Sequence, residues 1–116
     1  MKKELSMLEE QLVDEYYRGK RHIEIYKEHI LSYPKGCLSI KNIRGRKTYY
    51  LQWREQGKVK SKYVNYKYVD EITKQIEMRR HDEENIRRLK KDIKKIERFL
   101  GKELLEIHAD EYRRSI

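Results

Sequence analysis

Several common classes of small protein are closed off by what this chain lacks. A single cysteine, Cys37, cannot close an internal disulfide, so nothing marks a crosslinked secreted scaffold. One proline and five glycines exclude a loop-rich or collagenous architecture. No stretch approaches the ~20 apolar residues of a membrane span. The opening MKKELSMLEE turns acidic before any apolar run, unlike a signal peptide. Apolar residues are only 37% of the 116, too few for a thick core, yet there are no low-complexity tracts to indicate wholesale disorder. The expectation is a single elongated domain over residues 1–116, soluble and cytoplasmic.

What the chain has in abundance is charge, with 29 lysines and arginines against 20 acids, a net +9. The hydropathy period sorts the chain into parts. Over residues 1–33, Leu5, Leu8, Leu12, Tyr16, Ile23, Tyr26 and Ile30 recur at three- and four-residue steps that lapse only at Gly19. That is one amphipathic helix, ended by Pro34. Over residues 37–64 the period falls to two. Leu38 and Ile40, then Tyr49, Leu51 and Trp53, then Val59 and Tyr63 alternate with polar neighbours. Arg44-Gly45-Arg46 and Gln56-Gly57 are suited to tight hairpins. A three-stranded antiparallel meander follows.

Helical spacing returns after Asn65, a suitable N-cap. The seam runs Val69, Ile72, Ile76, Ile86, Leu89, Ile93, Ile96, Leu100, Leu104, Ile107. One helix over 66–100 is expected, with Gly101 as a break or bend before a helical extension over 102–115. The fold class is therefore α+β: two long helices forming an antiparallel, coiled-coil-like hairpin, with the meander inserted between them. Equal rise from the connection sets Ile30 beside Val69 or Ile72, Leu12 beside Leu89, and Leu5 beside Ile96. In that register Arg18–His22 lies opposite Arg79–Glu83, so two polar gaps coincide. They form either a solvated, register-fixing layer or a notch for a partner or another subunit. His22 and His81 come level there, near Glu15 and Glu83, without completing a metal-ligand set.

The charge is not spread evenly. Residues 35–67 hold ten cations and one acid, Glu55, so this segment alone carries a net +9. Strand alternation sets Leu38, Ile40, Tyr49, Leu51, Trp53, Val59 and Tyr63 on one face, toward the helices. Lys41, Tyr50, Gln52, Arg54, Lys60 and Lys62 fall on the other, with Arg44, Arg46, Lys47 and Lys58 in or beside the turns. Cations that hold phosphates, with a tyrosine and a glutamine able to reach bases, point to a nucleic-acid or nucleoprotein partner. Lysines on a sheet also discourage edge pairing, but mixed signs would serve that purpose. A second basic stripe, Arg87, Lys91, Lys94 and Arg98, flanks the helical seam. It is expected to pair partly with Glu4, Glu9 and Glu10, or else to track phosphates as an auxiliary site. Tyr33, Tyr49, Tyr50, Tyr63, Tyr66 and Tyr68 with Trp53 read as the core joining sheet to helices, Tyr50 being the exposed one.

No phosphate-binding glycine loop, zinc spacing or acid–base constellation is present, so no enzyme activity, cofactor, metal or small-molecule substrate is expected. Residues 36–64, GCLSIKNIRGRKTYYLQWREQGKVKSKYV, resemble a basic hairpin module found, ahead of a charged coiled-coil helix, in small proteins of Firmicutes and of their phages and mobile elements. The resemblance implies an accessory protein without catalysis, of the kind that includes phage anti-CRISPR inhibitors. The alternative is a protein–protein module, a coiled-coil hairpin that dimerises or clasps a partner. So thin an apolar seam favours a homo-oligomer under either reading.

Overall fold

A computed structural model describes residues 5–106. The elements are α1 (Met7–Leu31), β1 (Cys37–Ile43), β2 (Arg46–Glu55), β3 (Lys58–Val64), a 3-10 turn (Tyr66–Tyr68) and α2 (Val69–Leu100). The architecture is the expected α+β arrangement, a helix, a three-stranded antiparallel meander in the order β1-β2-β3, and a long helix packed against the first. The described residues divide into two compact units, residues 5–27 with 84–106, and residues 28–83.

The first helix starts later than expected, at a capping box. Ser6 Oγ accepts from Glu9 N and Glu9 Oε1 accepts from Ser6 N, each at 3.2 Å, which satisfies two donors at the helix start. The second begins with the Asn65 cap, whose Oδ1 accepts from Lys67 N at 3.1 Å, but the first turn is 3-10 rather than α.

In the helical unit, Val13, Tyr16, Gly19 and Ile23 of α1 are buried, as are Ile86 and Ile93 of α2. Gly19 is no lapse in the seam. It lies against Ile93 and Leu89, while Tyr16 Oη donates to Glu97 Oε1 at 3.1 Å. The expected register is thus displaced by about three helical turns along α2, and Arg18–His22 meets Leu89, Asp92, Ile93 and Ile96 rather than Arg79–Glu83. At Gly101 the chain turns back. Residues 102–106 are helical, Leu105 is buried, and its carbonyl accepts from Tyr17 Oη. Glu4, Ile107 and the rest of the expected extension lie outside the described residues.

In the unit of residues 28–83, the polar gap of α2 has a different purpose from the one expected. Arg79 Nη1 donates to the Ile30 and Tyr33 carbonyls at 3.1 and 2.9 Å, at the end of α1. Its Nε pairs with Glu83 Oε1 at 3.0 Å. Buried Asp82 stands 3.9 Å from His29 Nδ1. Arg79 thereby caps carbonyls in and just after the last turn of α1, where helical donors run out, while Glu83 holds the guanidinium in place. Because Arg79 is level with Ile30, residues 69–78 run on beyond α1. That explains the register, since the expected one began the two helices at the same height. Gly36 leads into β1 with φ +103, and a Cβ there would stand 1.9 Å from the Gln52 carbonyl oxygen. No other residue fits that approach.

Candidate nucleic-acid interface

The two hairpins are closed by two-residue turns. Arg44 and Gly45 have φ of 54 and 79, and Gln56 and Gly57 have 52 and 77. Positive φ at both central positions is the type I′ geometry that matches strand twist. Such a turn pairs Ile43 with Arg46 and Glu55 with Lys58, so odd-numbered residues of one strand face even-numbered residues of the next.

This parity determines what each face carries, because directly paired residues share a face. One face holds Lys41 of β1, Arg46, Thr48, Tyr50, Gln52 and Arg54 of β2, and Val59, Ser61 and Tyr63 of β3. The other holds Leu38, Ile40, Tyr49, Leu51, Trp53 and Val64, together with Lys47, Glu55, Lys58, Lys60 and Lys62. Lys41, Tyr50, Gln52 and Arg54 share a face as expected. Lys60 and Lys62 do not join them; they lie on the Trp53 face, and Val59 and Tyr63 lie on the Tyr50 face. Val59 and Tyr63 are accordingly 62% and 60% exposed.

The Tyr50 face is organised around two rings. Tyr50 and Tyr63 stand directly opposite across β2 and β3, edge to face, with centroids 6.1 Å apart. Lys41 Nζ lies 4.9 Å from the centre of the Tyr50 ring, a cation–π contact. Tyr50 is half-buried between them, so Tyr63 is the exposed ring. Tyr66 and Tyr68 are exposed as well and are not part of a core. Arg46 and Arg54, both exposed, lie on β2 four residues to either side of Tyr50, each about 14 Å away along the strand. No acid lies on this face.

On the opposite face, Val64 is the buried residue of the sheet, and Leu38, Tyr49, Leu51 and Trp53 are half-buried. Glu55, the one acid of the segment, is there too. Its Oε2 accepts from Trp53 Nε1 at 3.2 Å and pairs with Lys60 Nζ at 3.4 Å. The indole hydrogen bond first, and then Lys60, hold this carboxyl below its ordinary pKa. Part of the lysine charge on this face is thereby neutralised. Lys58 and Lys62 remain exposed on the edge strand, where lysine also hinders edge-to-edge pairing.

The stretch that this sheet dominates is also the one that places the chain among known sequences. The pattern defining the domain of unknown function DUF6788 matches residues 2–74. The chain belongs to the DUF6788 family. The DUF6788 match takes in α1, the whole sheet and the first turn of α2. No curated protein and no solved structure matches the chain.

The remaining candidates lie in the helical unit. Arg87, Lys91, Lys94 and Arg98 are exposed along one stripe of α2. Arg87 pairs with Glu84 on its own helix at 2.6 Å, while Glu9 lies beside Phe99 and Leu100, so the expected pairing with α1 is displaced with the register. His22 lies beside Leu89 and Asp92. Among the described residues, no three His, Cys, Asp or Glu side chains are grouped to hold a metal, and no helix is long and apolar enough to cross a membrane.

Proposed function

We propose that this DUF6788 protein is a non-enzymatic accessory protein that binds nucleic acid or a ribonucleoprotein through the Tyr50 face of its sheet. The observation that carries the reading is the strand register. It gathers Lys41, Arg46 and Arg54 with Tyr50, Gln52 and Tyr63 on one side that has no acid. Cations positioned along a strand suit a phosphate backbone, and rings and amides between them suit bases. Arg44 in the β1–β2 turn adds charge at one end. A phage-borne protein of this kind would act by occupying the nucleic-acid path of a host nuclease complex, such as a CRISPR effector.

Salt and charge reversal test this. Four phosphate contacts, from Lys41, Arg44, Arg46 and Arg54, give a slope of about −3 for log affinity against log salt. The triple change Lys41→Glu, Arg46→Glu, Arg54→Glu abolishes binding with the circular dichroism unchanged. The matched triple Lys58→Glu, Lys60→Glu, Lys62→Glu weakens it far less. A flat salt response, or equal loss from both triples, rejects the proposal.

A second reading, self-association or a helical clasp, is favoured by Met7, Leu8 and Phe99, large apolar side chains exposed in the helical unit. Light scattering tests it, and a strict monomer at high concentration removes the self-association.

A further inference from the structure

We infer that the Tyr50 face binds single-stranded rather than duplex nucleic acid, with an unpaired base stacked on Tyr63; this rests on the nucleic-acid reading above. The first reason is width. Rows Tyr49 to Gln52 of β2 are paired on both sides, to β1 residues 37–40 and β3 residues 61–64. Three strands span about 10 Å between outer backbones before any side chain is added. The duplex major groove is about 12 Å wide and admits a helix or a two-stranded ribbon. The tyrosine pair therefore sits on a part of the sheet too broad to reach base edges in that groove. Only the two hairpin tips are narrow enough, and neither carries an aromatic ring on this face.

The second reason is the rings themselves. Tyr63 is on an edge strand, 60% exposed, and in near-perpendicular ring contact with Tyr50, so the ring is braced while most of its surface stays open to a base. Every base has a face to stack on it, which is how sequence-tolerant single-strand binders work. Lys41, on the opposite side of the Tyr50 ring from Tyr63, supplies charge across the sheet from the stacked base. Arg46 and Arg54 lie on either side along β2, a separation of about 27 Å that a flexible single strand can follow. Gln52 and Ser61, paired one row of same-facing residues from the rings, offer hydrogen bonds to base edges.

The experiment uses the full chain and fluorescence anisotropy with an oligothymidine of about 12 nucleotides, inside the usual ~4–16-nucleotide range of such sites. A duplex of equal length is measured at the same salt. The single strand is expected to bind at least about ten-fold more tightly. Tyr63→Leu keeps bulk but removes the ring, and should weaken single-strand binding by about ten-fold, more than it weakens duplex binding. Tyr63→Phe, which keeps the ring, should retain most of the affinity. Duplex binding equal to single-strand binding, or a Tyr63→Leu variant that binds like the parent, overturns the stacking inference. If the Lys41, Arg46 and Arg54 charge reversals still abolish binding in that case, the broader reading survives. Absence of binding to either form at low salt removes both.

Discussion

Gly19 packs directly against Ile93, and a Cβ on the glycine would stand 3.4 Å from both Cγ1 and Cδ1 of that isoleucine. The two helices meet here because one of them has no side chain. A methyl group would still be in ordinary contact with flexible side-chain ends, and alanine is favoured over glycine inside a helix by about 1 kcal/mol. Gly19→Ala should therefore stabilise the protein by about that amount. Gly19→Leu would press a branched side chain against Ile93 and Leu89 and should cost about 1–3 kcal/mol. Urea unfolding followed by circular dichroism checks both signs; stabilisation by leucine would contradict the packing.

Arg79 contributes in a different way. Its side chain is 19% exposed, and its guanidinium serves two carbonyls in and just after the last turn of α1 while paired to Glu83. Hydrogen bonds with one charged partner are worth ~1.5–3 kcal/mol. Arg79→Met should cost about 2 kcal/mol in urea unfolding, and Arg79→Lys should recover only part, because an ammonium cannot reproduce the fork. Arg87→Met removes a shorter but well-exposed pair with Glu84 and should change stability by less than about 1 kcal/mol. Equal costs at the two arginines would show that Arg79 caps nothing.

These two residues also show where sequence reasoning stops. The elements were legible, since periods of 3.6 and 2 are written in single residues and Pro34, Gly45 and Gly57 punctuate them. The pairing of one helix with the other was not. An apolar-only reading treats Gly19 and Arg79 as gaps, whereas a glycine can be the closest contact and an arginine can be a cap. Both were in the seam at the right spacing. Likewise the Tyr50 face was legible on β1 and β2 but not on β3. Assigning Val59 and Tyr63 inward by hydrophobicity overrode the two-residue turn at Gln56-Gly57. Counting from that turn pairs Trp53 with Lys60 and Tyr50 with Tyr63, and would have found Tyr63.

Gln56 occupies the first central position of the β2–β3 turn with φ of 52, a region costly for residues other than glycine and asparagine. Gln56→Asn changes no charge and should stabilise the hairpin by roughly 0.5–1 kcal/mol. Thermal unfolding should shift upward, and nucleic-acid affinity should stay the same. A lowered melting temperature would mean that the Gln56 side chain makes contacts that outweigh its backbone strain.

Trp53 is the single tryptophan, so its emission reports on the group it touches, the Glu55 carboxylate. That carboxyl is held below its ordinary pKa, first by the indole N–H and then by Lys60. A depressed pKa means that the folded state binds the proton less readily than the unfolded chain does. The stabilisation from Glu55 is therefore present in full above the unfolded pKa and is lost as pH falls through the folded one. Trp53 fluorescence should stay constant on acidification until below the ordinary glutamate range and then change with a single midpoint. In Glu55→Gln that transition should vanish, which separates it from general acid unfolding. High salt should move the midpoint upward by screening Lys60, while the indole hydrogen bond, which is neutral, should keep it from returning fully to the ordinary value. A midpoint at the ordinary value in low salt would mean that neither partner favours the ionised carboxyl.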